Sequence, residues 1–397
     1  MLLLKNGKIF TMADDKVIYG DILIDKGKIV NINSSIHEEG AEIVDLRNHI
    51  VVPGFIDGHC HAGITESGVG AVGNDMDEKS DTLNPQLLAE DGINIRDSAF
   101  EAAVRSGITT VSVAPGESNV IGGKSCVIKT YGNILKERIV KSSSALNISI
   151  GDFVKRLDDV RTEMPRSRMA ITYMIRNFLI RAKKYYEETK DKGVDGNHFC
   201  EKYESVKSIF TKEEKVEICA HKAQDIQTAL RLKKEFDLDL ILTYCTEGYL
   251  IESQIDKNIP LMLGPYLTDK SNFEMENRNS KSPAVFSERG FNTCLITNHP
   301  DVPLDFLPVC AAVAIKDGMS FENALKSITI NPAEALGVDN RVGSIEVGKD
   351  ADIAVFDGDP FKAKTRTFMT IVNGKIAYRR CGYEKSSNYN YRTVTQN

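Results

Sequence analysis

The chain has 397 residues, 42% hydrophobic and 27% charged, an ordinary globular composition with room for one large domain and one smaller one. A net charge of −6, with no basic stripe interleaved with aromatics, gives no electrostatic case for a nucleic-acid partner. Met1 to Leu4 is too short an apolar start for a signal peptide, and no run approaches the ~20 apolar residues of a membrane span, so no membrane partner is expected.

The 8 cysteines (60, 126, 200, 219, 245, 294, 310 and 381) show no paired spacing, as reduced intracellular thiols do. A cytoplasmic protein is therefore expected. The first fifty residues read as short strands, with Asn6-Gly7 and Lys26-Gly27 interrupting alternating apolar residues as hairpin turns do. ADIAVFD (351–357) and MTIVNGKIAYR (369–379) repeat that pattern at the other end. The two ends are expected to pair into one small β domain, residues 1–52 plus 345–397, with 53–344 inserted between them. The polar end KSSNYNYRTVTQN is expected to be a frayed tail.

Between the ends, the apolar run IVVP leads into GFIDGHCHAG (54–63). Side chains at i and i+2 of a strand share a face, so His59 and His61 aim at one point, with Asp57 one pleat earlier. Paired imidazoles suit zinc or another divalent metal, and a nearby carboxylate commonly orients them. Cys60, between the two, should point away. Strands and helices then alternate. Asp97 caps a helix through Arg105, followed by the strand TTVSVAP. SRMAITYMIRNFLIRAKKYYEE has helical spacing. VEICAH, DLILTYC, IPLMLGPYL and FNTCLITNH read as strands. AQDIQTALRLKKEF, AVFSERG and LDFLPVCAAVAIKDG read as helices, and Ser320 and Asn331-Pro332 open two short ones. Repeated β–α units imply a parallel sheet, closed over this length into an eight-stranded α/β barrel.

PGFIDGHCH, SITINPAEALG and RVGSIEVGKDADIAVFDGDP followed by VNGKIAY resemble the amidohydrolase superfamily. The finer resemblance is to its imidazolonepropionase-related and prolidase-like branch. It rests on GNDMDEKSD (73–81), PGESNVIGGKSCVIKTYG (115–132), PRSRMAITYMIRNFLIRAKKYY (165–186) and AHKAQDI (220–226). The resemblance implies a (β/α)8 TIM-type barrel with a β-sandwich from both chain ends. It also implies metal-assisted hydrolysis of carbon–nitrogen bonds in a small-molecule substrate, and relatives of this type often form homo-oligomers.

The resemblance also assigns positions, and here several of them are substituted. Strand 5 relatives have His-Ala-His where this chain has Cys219-Ala220-His221. Strand 6 has Tyr244 for histidine, and strand 8 has Asn298, before His299-Pro300, for aspartate. Asn147 falls where some relatives carry a bridging lysine. The expected metal set is His59, His61, Cys219 and His221. An amide cannot take up a proton at neutral pH, so Asn298 removes both ligand charge and general base. His299 or Asp301 would have to supply proton transfer. The rival expectation is a catalytically impaired protein that binds a metabolite or partner.

Three further signals are weaker. GGKS (122–125) ends like a phosphate loop, but Ser118 stands where its first glycine belongs and CVIKTYG reads as strand, so the glycines are expected to shape a loop over the barrel mouth. Asp75, Asp77 and Glu78 form an acidic loop that could meet a cationic substrate group. Lys129 could bind a carboxylate, and Tyr244 is expected to line the substrate pocket.

Overall fold

A computed structural model of the chain describes residues 1–13, 17–155, 164–190, 199–270 and 272–380. The expected frayed tail and Cys381 lie outside the described residues. The N-terminal strands are β1 (Leu2–Phe10), β2 (Val17–Asp25), β3 (Lys28–Asn33), β4 (Glu42–Asp45) and β5 (Ile50–Pro53). The central strands are β6 (Phe55–Cys60), β7 (Ile108–Val113), β8 (Ile121–Lys129), β9 (Ile139–Ser149), β10 (Lys215–Ala220), β11 (Leu240–Tyr244), β12 (Leu261–Leu263) and β13 (Thr293–Leu295). β14 (Ile353–Phe356), β15 (Thr367–Val372) and β16 (Lys375–Arg379) follow.

The chain ends pair. Their strands form one sheet in the order β16-β15-β14-β5-β1-β2-β3, with β4 on β1. Two tight turns, Lys26–Gly27 and Asn373–Gly374, have positive φ at both positions, as two-residue hairpins require. They also meet: a Cβ on Gly374 would lie 2.7 Å from Gly27 Cα. Asn6–Gly7 is not a hairpin. Asn6 adopts φ 59° and its backbone N–H reaches Asp21 Oδ1 (2.9 Å), so β1 continues through a bulge.

The central strands form an eight-stranded sheet in sequential order, β6 to β13, nearly closed into a barrel. The strands are buried along nearly their whole lengths, apart from the first half of β9. The expectation of a wholly parallel sheet fails at one strand: β8 pairs antiparallel with both β7 and β9. Its neighbours on either side are short connections without a long crossover helix, so nothing returns the chain to the starting rim. The GGKS residues belong to β8 and not to a loop at the mouth. Gly123 is required there, because a Cβ would lie 2.7 Å from the Leu87 carbonyl oxygen.

No ladder joins β6 to β13 among the described residues. That seam is closed by Asp57, which accepts from the Thr297 N–H (3.2 Å) and hydroxyl (2.5 Å). His61 N–H also donates to the His299 carbonyl (2.9 Å). Asp57 is fully buried, and burial pushes its carboxyl up to about 6 despite these donors.

The helices are α1 (Ser98–Arg105), α2 (Leu135–Arg138), α3 (Arg168–Thr189), α4 (Glu201–Glu204), α5 (Lys207–Thr211), α6 (Ala223–Phe236), α7 (Ser282–Glu288), α8 (Leu307–Lys316), α9 (Phe321–Lys326) and α10 (Ile330–Leu336). Asp97 and Ser320 cap α1 and α9 with side-chain oxygens, as their sequence positions predict, and Ser167 caps α3 in the same way. α3, α5 and α6 bury Ile171, Ile175, Ile209, Ile226 and Leu232 against the outside of β9 to β12. Ile56, Val127, Cys219, Ile241, Met262 and Ile296 pack in a separate cluster with Tyr244, and Cys60 packs elsewhere with Ala62 and Phe100. Among the described residues no helix is long and apolar enough to cross a membrane.

Candidate metal centre

The parallel strands of a barrel end on one rim, and the chemistry-bearing residues gather there. His59 and His61 stand at the end of β6, Tyr244 closes β11, Asn298 follows β13, and Glu117 lies in the connection from β7 to β8. His59, His61 and Glu117 are buried, with one donor atom from each lying within 4.8 Å of the other two.

The outer nitrogens of both imidazoles are already used. His61 Nδ1 lies 2.7 Å from the Ala114 carbonyl, which can only accept, so Nδ1 carries the proton. His59 Nδ1 lies 2.6 Å from Glu217 Oε1, a fully buried carboxylate on β10 that also accepts from the Thr243 hydroxyl (2.5 Å). In the neutral rings both Nε2 lone pairs therefore face inward. Glu117 Oε1 is 3.4 Å from His61 Nε2 and 3.8 Å from His59 Nε2. The first contact lacks hydrogen-bond geometry and leaves His61 Nε2 a buried nitrogen without a hydrogen-bond partner.

These separations suit a shared ion. Bonds of 2.0–2.1 Å in a tetrahedron put neighbouring ligand atoms about 3.3–3.4 Å apart. An imidazole with Nδ1–H held by a carboxylate or carbonyl is also the usual form of a metal-binding histidine. His59, His61 and Glu117 could hold a divalent cation, leaving a further position open. Without one, the protons stay. Burial pushes His59 down, but Glu217 and Glu117 outweigh it and hold the ring at about 10. His61 is raised by Glu117 against the same burial, and the two imidazoles keep Glu117 well below the usual carboxylate range despite its own burial.

Across the rim, the groups nearest Glu117 are an uncharged phenol and an amide. The Tyr244 hydroxyl donates to Glu117 Oε1 or to Asn298 Oδ1 (2.9 Å), one proton between two acceptors, and lies 3.5 Å from His59 Nε2. Burial, then the Glu117 charge, raise the phenol well above its ordinary range, so it is a donor and not an anionic ligand. Tyr244, Cys245 and Asn298 all have positive φ (69°, 47° and 52°). Non-glycine residues held there cost backbone energy, and such outliers gather at functional sites.

The remaining sequence-predicted residues are distributed as follows. Cys219 and His221 do not join the three-residue cluster. Cys219 packs among the apolar side chains around Ile56 and Met262, and burial holds its thiol well above the ordinary range. His221 stacks on Tyr244 (centroids 4.4 Å apart, planes at 10°) and bonds Thr246 Oγ1 through Nδ1 (2.7 Å). Burial lowers its pKa to about 4, so the ring is neutral. His299 Nδ1 accepts from Leu304 N–H (3.2 Å), which removes that nitrogen as a base. Asp301 Oδ2 accepts from Asn298 Nδ2 (3.2 Å) at the exposed edge of the site. Asn147 on β9, with its amide nitrogen towards Glu217 Oε2 (3.2 Å), supports the carboxylate that holds His59.

Two substrate-binding expectations change. Lys129 is fully buried and pairs with Asp350 (3.1 Å) and Asp352 of the end sheet. Because β8 runs against its neighbours, its last residue points to the rim opposite the histidines. Asp77 accepts from Ser118 N–H (2.9 Å) and hydroxyl (2.8 Å), so it fastens the connection that presents Glu117. Asp75 lines an exposed cleft of about 270 Å³ with Met76, Leu88 and Pro115.

Sequence reasoning missed Glu117 and Glu217. Glu217 was reachable: it shares strand parity with Cys219 in VEICAH, the same i, i+2 relation that pairs the histidines. Glu117 sits in an irregular connection with no periodicity to mark it, although its stretch carried the family resemblance.

A barrel that gathers two histidines from the end of its first strand into a candidate metal centre has the arrangement expected of the amidohydrolase class. The chain belongs to that family. A crystallised amidohydrolase from Thermotoga maritima MSB8 is 35% identical, with a TM-score of 0.91 over 96% of this chain and 100% of its own. The amidohydrolase family model matches residues 292–378. Amidohydrolase tasK of Hapsidospora irregularis is 24% identical over 90% of this chain. The chain spans 40% of that protein's length, and about half of the adenine deaminases it also matches (54–56%). Dihydroorotases are among the other relatives. An adenosine deaminase from Xanthomonas campestris, solved with bound zinc, shares the fold at 16% identity and a TM-score of 0.53, over 94% of this chain and 92% of its own.

Proposed function

We propose that the protein is a metal-dependent hydrolase of carbon–nitrogen bonds in a small amide or cyclic amide. One divalent ion, zinc or a similar metal, is held by His59, His61 and Glu117. The observation that carries this reading is the pair of imidazoles whose Nδ1 atoms are both engaged, turning both Nε2 atoms towards one carboxylate. Deaminases and dihydroorotases among the relatives support the bond class.

A divalent ion bound there supplies Lewis acidity, which polarises the carbon under attack and makes water acidic at neutral pH. The side chains do the rest. Glu217 holds the His59 proton at Nδ1. Tyr244 offers one O–H to Glu117 or to an oxygen of the substrate. Asn298 can orient a substrate through its amide but cannot carry a proton away. Losing such a base typically costs roughly 10²–10⁴ in rate. That deficit favours a second reading, a binding protein of the same fold in which the pocket holds a metabolite without turning it over.

Zinc-loaded protein assayed against a hydantoin, a dihydropyrimidine, adenine and N-acyl amino acids separates the two. The first reading expects slow turnover of at least one compound, lost on chelation and in His61→Ala. Binding without turnover supports the second, and turnover indifferent to both treatments contradicts the metal assignment.

A further inference from the structure

The connection from β12 to β13 lies over the same rim. Asn277 Nδ2 donates to Glu247 Oε1 (2.7 Å), Glu276 pairs with Lys222 (2.6 Å), and Glu247 N–H donates to the His221 carbonyl (2.9 Å). Arg278 follows directly. Its guanidinium donates to the Pro265 carbonyl (3.0 Å), the Thr268 hydroxyl and the Thr268 carbonyl. Pro265 lies two residues beyond Leu263, the last residue of β12. Leu263 pairs with Tyr244 on one side and with Leu295, three residues before Asn298, on the other. The sheet order therefore puts Arg278 at the mouth between the strand ends that carry Tyr244 and Asn298.

Every hydrogen-bond acceptor given to this cation is neutral. Arg278 is half-buried, and among the described residues it makes no ion pair within 4 Å. By contrast Arg168, Lys222 and Lys129 each meet two or more carboxylates and Lys124 meets Glu214, while Arg138, which like Arg278 bonds only a neutral acceptor, is fixed on the Gly132 carbonyl. The charge of Arg278 is felt at His221 and Asp301, consistent with its place over the mouth, and the Asp269 and Asp301 carboxylates act on it in turn from beyond ion-pair distance. A planar guanidinium pinned by backbone carbonyls is pre-oriented, and its matched ligand is a carboxylate or similar planar anion.

We propose that Arg278 is a specificity-determining residue that binds an anionic group, a carboxylate, carried by the amide substrate. This rests on the hydrolase reading above and narrows its substrate class to acidic amides. The same pocket would take such a compound in the binding-protein reading.

The probes are N-acyl amino acids and their neutral C-terminal amides, titrated into wild type, Arg278→Gln and Arg278→Lys, each with and without zinc. Wild type should bind at least one acid more tightly than its amide. Arg278→Gln should weaken the acid about 10- to 100-fold and leave the amide unchanged, as loss of a charge-assisted hydrogen bond predicts. Arg278→Lys should restore part of the preference, and its melting midpoint should match that of wild type. The proposal is overturned if acids and amides bind alike, if no acid binds up to about 10 mM, or if Arg278→Gln keeps the preference. Zinc content is read separately: its failure in wild type sinks the metal assignment alone, and an unchanged content in Arg278→Gln keeps the two questions apart.

Discussion

The two halves of the barrel rim are built on different principles. On the first-strand side the supports are in place: Glu217 and Ala114 hold the imidazoles, Asp57 ties β6 to the segment after β13, and Asp77 fastens the connection that brings in Glu117. On the side of β11 and β13 the corresponding positions are a phenol and an amide at positive φ, sharing one proton with Glu117. The first half gathers three donor groups that could hold a cation. The second meets Glu117 through an uncharged phenol. Substitutions on the two halves can therefore probe ion binding and proton transfer separately.

Changes that add or remove charge test that separation most strongly. Asn298→Asp places an acidic group beside Tyr244 and should raise turnover of any hydrolysed substrate by about 10²-fold or more, read as kcat in the zinc-loaded protein. No gain would mean that something other than the missing base limits the reaction. Glu217→Gln attacks the other half by removing the negative charge beside the His59 Nδ1 proton, leaving a weaker amide acceptor. Metal affinity should fall about 10- to 100-fold in a chelator competition, and an unchanged affinity would break the account of how His59 is oriented.

Smaller effects come from the supports. Asp77→Ala should cost about 1–2 kcal/mol in a denaturant melt by releasing Ser118, and it should lower metal affinity through Glu117. A stability loss with unaltered affinity would detach that connection from the site.

A further expected effect is a pH dependence of stability in the connection from β12 to β13. Glu274 accepts from Asp152 N–H (2.9 Å), and burial pushes its carboxyl up to about 7, with Asp152 and Asp225 adding to the rise and Arg168 opposing it. The folded state holds this proton more tightly than the unfolded chain. Its contribution is thus fully present below about 4.5 and lost as pH rises through 7, with a slope of at most about 1.4 kcal/mol per pH unit. Glu274→Gln should flatten that part of the stability profile, and an identical profile in the variant would remove Glu274 as its source.

Much of the architecture was legible because its signals are local. Hairpin dipeptides, the caps at Asp97 and Ser320, and the two-residue spacing of the histidines each act over a few residues. What stayed hidden is long-range. The reversal of β8 is decided by a pairing between distant strands, and it alone turned Lys129 from a substrate ligand into a buried partner of Asp350 and Asp352. Asn6–Gly7 carried a hairpin signal, but Asp21 drew it into a bulge. Glu117 reaches the histidines from an irregular segment, and no periodicity foretells that. Cys219 was assigned by position along a strand, whereas its apolar surroundings are set by five other strands.

The most direct test of the central claim is elemental analysis of the protein purified without chelator and of its His61→Ala variant, after zinc loading and dialysis. The account predicts about one ion per chain in the first and close to none in the second, consistent with three protein ligands and one open position. A metal-free wild type, or an equal content in both proteins, would contradict it.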